Sequence, residues 1–349
     1  MKSKIGILAL GQCGGNIGSI FETNGYNCLA INTCEQDLST LTTVKFRYKI
    51  KGAEGCSHDR IKAINCIKEN YRDAIEQIRD KLYHCSLIYL CFSTSGGTGS
   101  GFAPILLEMC NREFPDKHFG CIAVLPSDDE APQLLMNAHQ CYKEISQIER
   151  LASVFTLDNN KQKDILRINQ LFFKKFDSII DIPKYTNTKG NIDQAELFKM
   201  LTTRGNAIIT NCNYSSTSDL TANLIRSWEE TDIFADIEKD KHIKYLGLST
   251  IGEPDKEALK RYIGTPFDVF QNYHSNSNIS ILSGLTFPKQ RINNIYKKLE
   301  GNKDIIIKNL ENSIDCITDD LDFLNHIKPP LPEILDTRPL EDILKKYAG

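Results

Sequence analysis

Two glycine-rich stretches carry the first chemical signal in this 349-residue chain. One reads Gly11-Gln12-Cys13-Gly14-Gly15-Asn16 and follows the apolar run Ile5–Leu10. The other reads Ser95-Gly96-Gly97-Thr98-Gly99-Ser100-Gly101 and follows Leu87–Ser93. Glycine lets the backbone turn sharply and approach a ligand with no Cβ in the way. Each stretch also opens a helical pattern, and a helix start presents unpaired N–H groups and a positive dipole end, which suit phosphate oxygens. Neither is a common phosphate loop: the first lacks G-x-G-x-x-G spacing, and no lysine follows the glycines of the second. Such a site must rely on backbone dipoles, on the Thr98 and Ser100 hydroxyls, and on a Mg²⁺ ion that arrives with the nucleotide.

A third constellation is Asn191-Ile192-Asp193-Gln194-Ala195-Glu196, just before another helical pattern. Read alone it is a helix start, with acids in the first turn and Asn191 available as a cap.

The elements that position these residues follow from periodicity. Short β-like runs at Ile5–Leu10, Cys28–Asn32, Phe46–Ile50, Leu87–Ser93, Gly120–Leu125 and Val154–Leu157 alternate with helix-period segments. In one of them Ile61, Ile64, Ile67, Tyr71, Ile75, Ile78 and Leu82 recur at spacings of three and four, predicting one apolar face. This alternation predicts an α/β fold with a mainly parallel sheet, both glycine loops opening at its carboxyl edge. A long helix is expected from Asp164 to Ile182, stopping before Pro183. Beyond it, helices at Gln194–Thr203, Leu220–Glu230 and Lys256–Tyr262 interleave with strands at Ala207–Cys212, Tyr245–Ser249 and Ile279–Ser283. The expected organisation is a nucleotide-binding domain (1–163), a central helix (164–183), a smaller α/β domain with a closing helix (184–312), and a flexible tail (313–349). In the acidic, proline-bearing tail, Leu340, Ile343, Leu344 and Tyr347 have the spacing of a short docking helix or of a frayed end.

Composition bounds the function. A formal charge of −3 gives no overall field for DNA or anionic lipid, so neither direct nucleic-acid nor membrane binding is expected. No apolar run reaches the roughly 20 residues a membrane helix needs, and the start lacks a leader pattern, so a soluble cytoplasmic protein is expected. The 12 cysteines include no Cys-x-x-Cys pair and mostly sit in apolar runs, which reads as reduced packing residues with no protein metal centre.

The glycine-rich stretch Gly96–Gly101 resembles the signature of the tubulin, FtsZ and TubZ proteins, and Gly11-Gln12-Cys13-Gly14 resembles the tubulin form of their first loop. Similar motifs continue in order. Asn32-Thr33 with Asp37 resembles the second loop. Gly52-Ala53-Glu54-Gly55 is similar to the γ-phosphate-sensing loop, in a looser form than Gly-Ala-Gly. Val124-Leu125-Pro126 with Glu130 resembles the ribose loop, Leu157-Asp158-Asn159-Asn160-Lys161 is like TubZ, and Asn191-x-Asp193-x-x-Glu196 is similar to the catalytic synergy loop.

The resemblance implies GTP and GDP as ligands, with Gly11–Asn16, Asn32, Gly55, Gly96–Gly101, Pro126, Glu130, Asn159 and Asn169 around them. It implies that Asn16, Asn159 and Asn169 meet the guanine, although physics alone leaves adenine open. It further implies head-to-tail filaments in which Asp193, Glu196 and Asn191 of one subunit complete the neighbour's site. The family pattern nearest the chain is the TubZ type, which implies DNA segregation through a DNA-binding adaptor engaged by the tail. Three alternatives stand beside it: an FtsZ-like division protein, a nicotinamide-dependent oxidoreductase, and a nucleotide-binding adaptor without hydrolysis.

Overall fold

The computed structural model describes residues 1–212, 219–273, 277–303 and 306–307. The chain alternates strand and helix from its start: β1 (Ile5–Leu10), α1 (Gly11–Thr23), β2 (Asn27–Asn32), α2 (Glu35–Thr40), β3 (Phe46–Lys49), α3 (Arg60–Lys81) and β4 (Leu87–Ser93). It continues through α4 (Gly97–Glu113), β5 (His118–Leu125), α5 (Pro132–Ser146), β6 (Ser153–Asp158) and the long α6 (Ile165–Asp181). After α6 come α7 (Gln194–Thr202), β7 (Gly205–Cys212), α8 (Leu220–Glu229), β8 (Tyr245–Thr250) and α9 (Lys256–Ile263). The last described elements are β9 (Asp268–Tyr273), β10 (Asn278–Leu285) and α10 (Lys289–Gly301).

All ten strands join one sheet in the order β3-β2-β1-β4-β5-β6-β7-β10-β8-β9. Each pairing is parallel except those of β10, which runs against both β7 and β8. The turn of direction at β10 needs no helical crossover from β9, whereas every parallel step does. The sheet passes the long helix without a break, since Ser153, Val154 and Phe155 of β6 pair with Gly205, Asn206 and Ala207 of β7.

Strands buried on both faces read as continuous apolar runs, and β1 is such a run. Ile5, Ile7 and Ala9 point into the layer under α1 and α6, while Leu8 and Leu10 point into the layer under α3, α4 and α5. Phe172 and Phe176 on α6 pack with Phe21 of α1 and Phe155 of β6, so the long helix is held by an aromatic cluster with centroids 5.4–6.2 Å apart. Asp164 caps its start by accepting from the Leu166 and Arg167 amides.

Several expectations are corrected. Ile61 is 60% exposed and leaves the apolar face of α3, where Ile64, Ile67, Ile75, Ile78 and Leu82 are buried. At about 100° per residue it sits at the rim of that arc, in the first turn, beyond the reach of the sheet. Helices α2 and α5 and strand β9 were not among the expected elements. The closing helix expected to residue 312 is α10, described to Gly301, and the expected tail with Leu340, Ile343, Leu344 and Tyr347 lies outside the described residues.

Candidate nucleotide site

The parallel strands β1, β2, β4, β5 and β6 place five turns at one edge of the sheet. Gly11, at φ +67, takes the left-handed backbone that only glycine adopts readily, and so bends β1 directly into α1. A Cβ on Gly11 would touch the Gly99 amide and Thr98 Cβ, each at 3.4 Å, so the two glycine loops lie against one another. Gly14 lets α1 rest on β4: a Cβ there would stand 2.1 Å from the Cys91 carbonyl oxygen. Gly15 faces the Leu41 side chain, and Gly99 faces Phe92 and the Ser93 carbonyl. By contrast Gly96, the N-cap of α4, has nothing within 4 Å of where a Cβ would be. Gln12, exposed in the first turn of α1, makes no contact that holds the fold.

The other loops close on this pair. Thr33 Oγ1 shares a 2.9 Å hydrogen bond with Thr98 Oγ1, and the Gly55 amide donates to the Thr33 carbonyl at 3.1 Å. Asn32 is 3% exposed, its side chain donating to Asp37 and accepting from the Thr33 amide, so it shapes its loop. Ser100 is fully buried and donates to the Gly96 and Gly97 carbonyls, which turns its hydroxyl toward its own helix; Thr98 is half-buried with its hydroxyl on Thr33. Glu130 accepts from the Ser127 amide, fixing the turn after β5 next to Pro126. Burial first, and the Glu130 charge second, push the Cys13 thiol up to about 12.

Asn16 and Asn169 share a cavity of about 340 Å³ with Leu41 and Leu166. The first turn of α1 and the start of α6, far apart in sequence, thus meet over one recess with two carboxamides and an apolar floor. Asn159 lies in a short turn after β6, and its Oδ1 is buried with no hydrogen-bond partner. An acceptor left so is costly unless something else satisfies it.

Asp193, Glu196 and Asn191 are elsewhere. The expected helix start is present as a full capping box: Asp193 accepts from the Glu196 amide at 2.8 Å and Glu196 accepts from the Asp193 amide at 3.0 Å. The cap is Asp193, not Asn191, whose Oδ1 instead accepts from the Asn187 amide at 2.5 Å. Helix α7 packs against the amino ends of β5 and β6, with Phe198 against His118 at 5.5 Å and the Leu201 carbonyl accepting from Ser153. The glycine loops are at the carboxyl ends, one strand length away, which for six to eight residues is roughly 20–26 Å.

Sequence reasoning missed the side chains that tie the turns together. Asn137 on α5 donates to both the His58 and Ser95 carbonyls, at 2.8 and 3.0 Å. Arg60 donates to the Ser100 carbonyl at 3.2 Å and pairs with Glu144. Arg291 on α10 reaches Asp158, Asp128 and the Pro126 carbonyl. None lies in a motif, and only the folded chain brings them to the turns.

Comparison with known proteins decides the family. Residues 4–167 match the Tubulin/FtsZ family, GTPase domain. Over 323 residues, 90% of this chain and 88% of its relative, the sequence is 33% identical to the tubulin-like protein TubZ of a Clostridium botulinum C phage. The chain belongs to the tubulin/FtsZ family. It is a TubZ-like GTPase, and the nicotinamide alternative falls. The structure of the tail-truncated TubZ of C. botulinum phage c-st matches at TM-score 0.79 with 32% identity, covering 87% of this chain and 99% of that one. A GTPγS-form protofilament structure of Bacillus thuringiensis serovar israelensis TubZ shares the fold at TM-score 0.74 and 18% identity, covering 90% and 95%. No helix among the described residues is long and apolar enough to cross a membrane.

Proposed function

We propose that this GTPase assembles head to tail into filaments and hydrolyses GTP only at the contact between two protomers. One observation carries the reading: the phosphate loops stand at the carboxyl edge of the sheet, whereas the helix that the Asp193–Glu196 pair starts packs its later turns on the amino ends of β5 and β6. A single chain cannot fold one onto the other, but the carboxyl edge of one copy can meet the amino edge of the next. Such a contact joins two different surfaces and therefore propagates.

In this reading the amides of Gly11–Gly15 and Gly96–Gly101, with Thr98, hold the phosphates; Gly55 reports the γ-phosphate. Pro126 and Glu130 flank the ribose, while Asn16, Asn169 and the unpaired Asn159 carboxamide meet the guanine edge. No cluster of three His, Cys, Asp or Glu exists among the described residues, so Mg²⁺ would take its oxygen ligands from the phosphates, water and the Thr98 hydroxyl. Bound there, it would neutralise phosphate charge. Asp193 and Glu196 each commit one oxygen to the capping box, leaving the other to orient water across the contact, with Asn191 steadying the loop. The residue ranges 1–163, 164–183 and 184–312 then act as nucleotide unit, connector and activating unit.

The TubZ resemblance supports a cytoplasmic role in moving plasmid or phage DNA through an adaptor bound by the tail. Mixing tests the core of the proposal. Gly96→Ala, which blocks the phosphate cleft, and Asp193→Asn, which removes the acid, should each release little phosphate alone. Mixed, they should regain a measurable fraction of wild-type turnover, because some contacts pair a sound cleft with a sound acid. No recovery, with both variants folded and co-sedimenting, would defeat the shared-site mechanism. Light scattering with GTP, ATP or neither tests assembly and base choice.

A further inference from the structure

Arg291 is embedded at the junction of α10 with the turns after β5 and β6, its side chain 10% exposed. Its guanidinium makes a fork on Asp158, Nε to Oδ2 at 2.8 Å and Nη2 to Oδ1 at 3.2 Å. It also donates to Asp128 Oδ1 at 2.9 Å and to the Pro126 carbonyl at 2.6 Å. Lys298, two turns on and on the same stripe of α10, donates to the Asp128 carbonyl at 3.1 Å. The turns are also sewn to each other: Asp158 accepts from the Asn160 amide, and Asn160 accepts from the Asp128 amide. The adjoining stripe of α10 buries Ile292 and Ile295 beside α5. One helix therefore grips the core with its apolar face and both turns with its cations.

A planar fork suits this work because it can satisfy a carboxylate and a carbonyl together, which an ammonium cannot do in the same geometry. Pro126, Asp128 and Asp158 are immediate neighbours of Glu130 and Asn159. We propose that Arg291 is a positioning residue through which α10 holds the ribose and guanine turns in place, so that seating of α10 sets how long nucleotide stays bound. The inference rests on the assignment of Glu130 and Asn159 to the nucleotide. It adds a control point outside the glycine loops.

The test compares Arg291→Ala, Arg291→Lys and Ile295→Val, the last loosening α10 without touching the clamp. Release of mant-GDP in magnesium buffer should quicken by roughly tenfold or more in Arg291→Ala, as truncation of a buried charge pair acts chiefly on dissociation. Arg291→Lys should recover part of the difference, and Ile295→Val should stay within about twofold of wild type. In nucleotide-free protein, hydrogen exchange at 126–130 and 158–161 should rise in Arg291→Ala and not in Ile295→Val. Wild-type release from Arg291→Ala, or equal acceleration by Ile295→Val, overturns the clamp alone. A wild-type protein that binds no mant-GDP overturns the site assignment and the clamp with it.

Discussion

Individual residues in the glycine loops do different jobs despite identical side chains. Gly14 is required by packing, since its neighbour is a backbone carbonyl of β4 that cannot move without the sheet. Gly14→Ala should lower stability by about 1–3 kcal/mol or more, read as a shift in the denaturation midpoint. Gly96 is required by nothing in the protein, so Gly96→Ala should leave that midpoint within about 0.5 kcal/mol while weakening mant-GTP binding. Equal loss of stability in both variants would mean that Gly96 also serves the fold. Asp193 needs similar care, because it is both cap and proposed catalyst. Asp193→Ala removes the cap and should cost about 1 kcal/mol, whereas Asp193→Asn caps nearly as well. Asp193→Asn should therefore keep its stability and its GTP affinity while turnover falls by roughly a hundredfold or more. Full-rate phosphate release from Asp193→Asn, measured where filaments form, would remove the acid from the mechanism.

Among the elements, α3 shows what periodicity can and cannot decide. Its spacing gives the buried stripe, but Ile61 and Ile64 differ by a single turn and have opposite fates. Ile64→Ala should cost about 2–5 kcal/mol, and Ile61→Lys should change stability by less than about 0.5 kcal/mol, both by urea denaturation. A costly Ile61→Lys would point to a partner covering that face. Helix α7 is the clearest case of one motif with two meanings: the capping box that starts it also leaves Asp193 exposed to solvent. Helix α10 lies in the opposite situation. Its sequence is an ordinary amphipathic pattern, and only its docking on α5 brings Arg291 to Asp158.

For the molecule as a whole, the sheet is one continuous layer of ten strands whose central strands are buried on both faces, and many thiols and phenols are locked inside it. Burial pushes Cys85 up to about 11 and raises Cys91, Cys110, Cys121 and Cys141 as well. These folded values exceed those of the unfolded chain, near 8.5 for a thiol. The sign follows: their contribution is complete below about pH 8.5 and is lost as pH climbs toward the folded values, because the unfolded chain gives up its protons first. Thermal unfolding should therefore shift several degrees lower between pH 8 and pH 10.5 in reducing buffer. A flat profile would mean that these thiols are not protected. At the acid end, burial alone would raise Asp128, but hydrogen bonds from Asn160 and Lys298 and the Arg291 and Lys298 charges hold it below its ordinary value. Its contribution is present above roughly pH 4 and fades as acid protonates it.

The sequence by itself determined the strands that are buried on both faces, because such strands must be apolar throughout, and β1 and β4 have the ends that their apolar runs predict. It also determined the glycine turns and the capping signal, since those are local: a left-handed Gly11 or an Asp three residues before a Glu needs no distant partner to be recognised. Strand β9 was not legible, as an edge strand half open to solvent alternates weakly and begins beside an exposed Phe267. Tertiary structure alone decided that Ser100 turns inward, that Asn16 and Asn169 share a recess, and that Arg291 holds two turns more than 130 residues away. It also decided that the later turns of α7 pack on the amino ends of β5 and β6. These are relations between elements, set by strand order and helix docking, and no spacing along the chain records them.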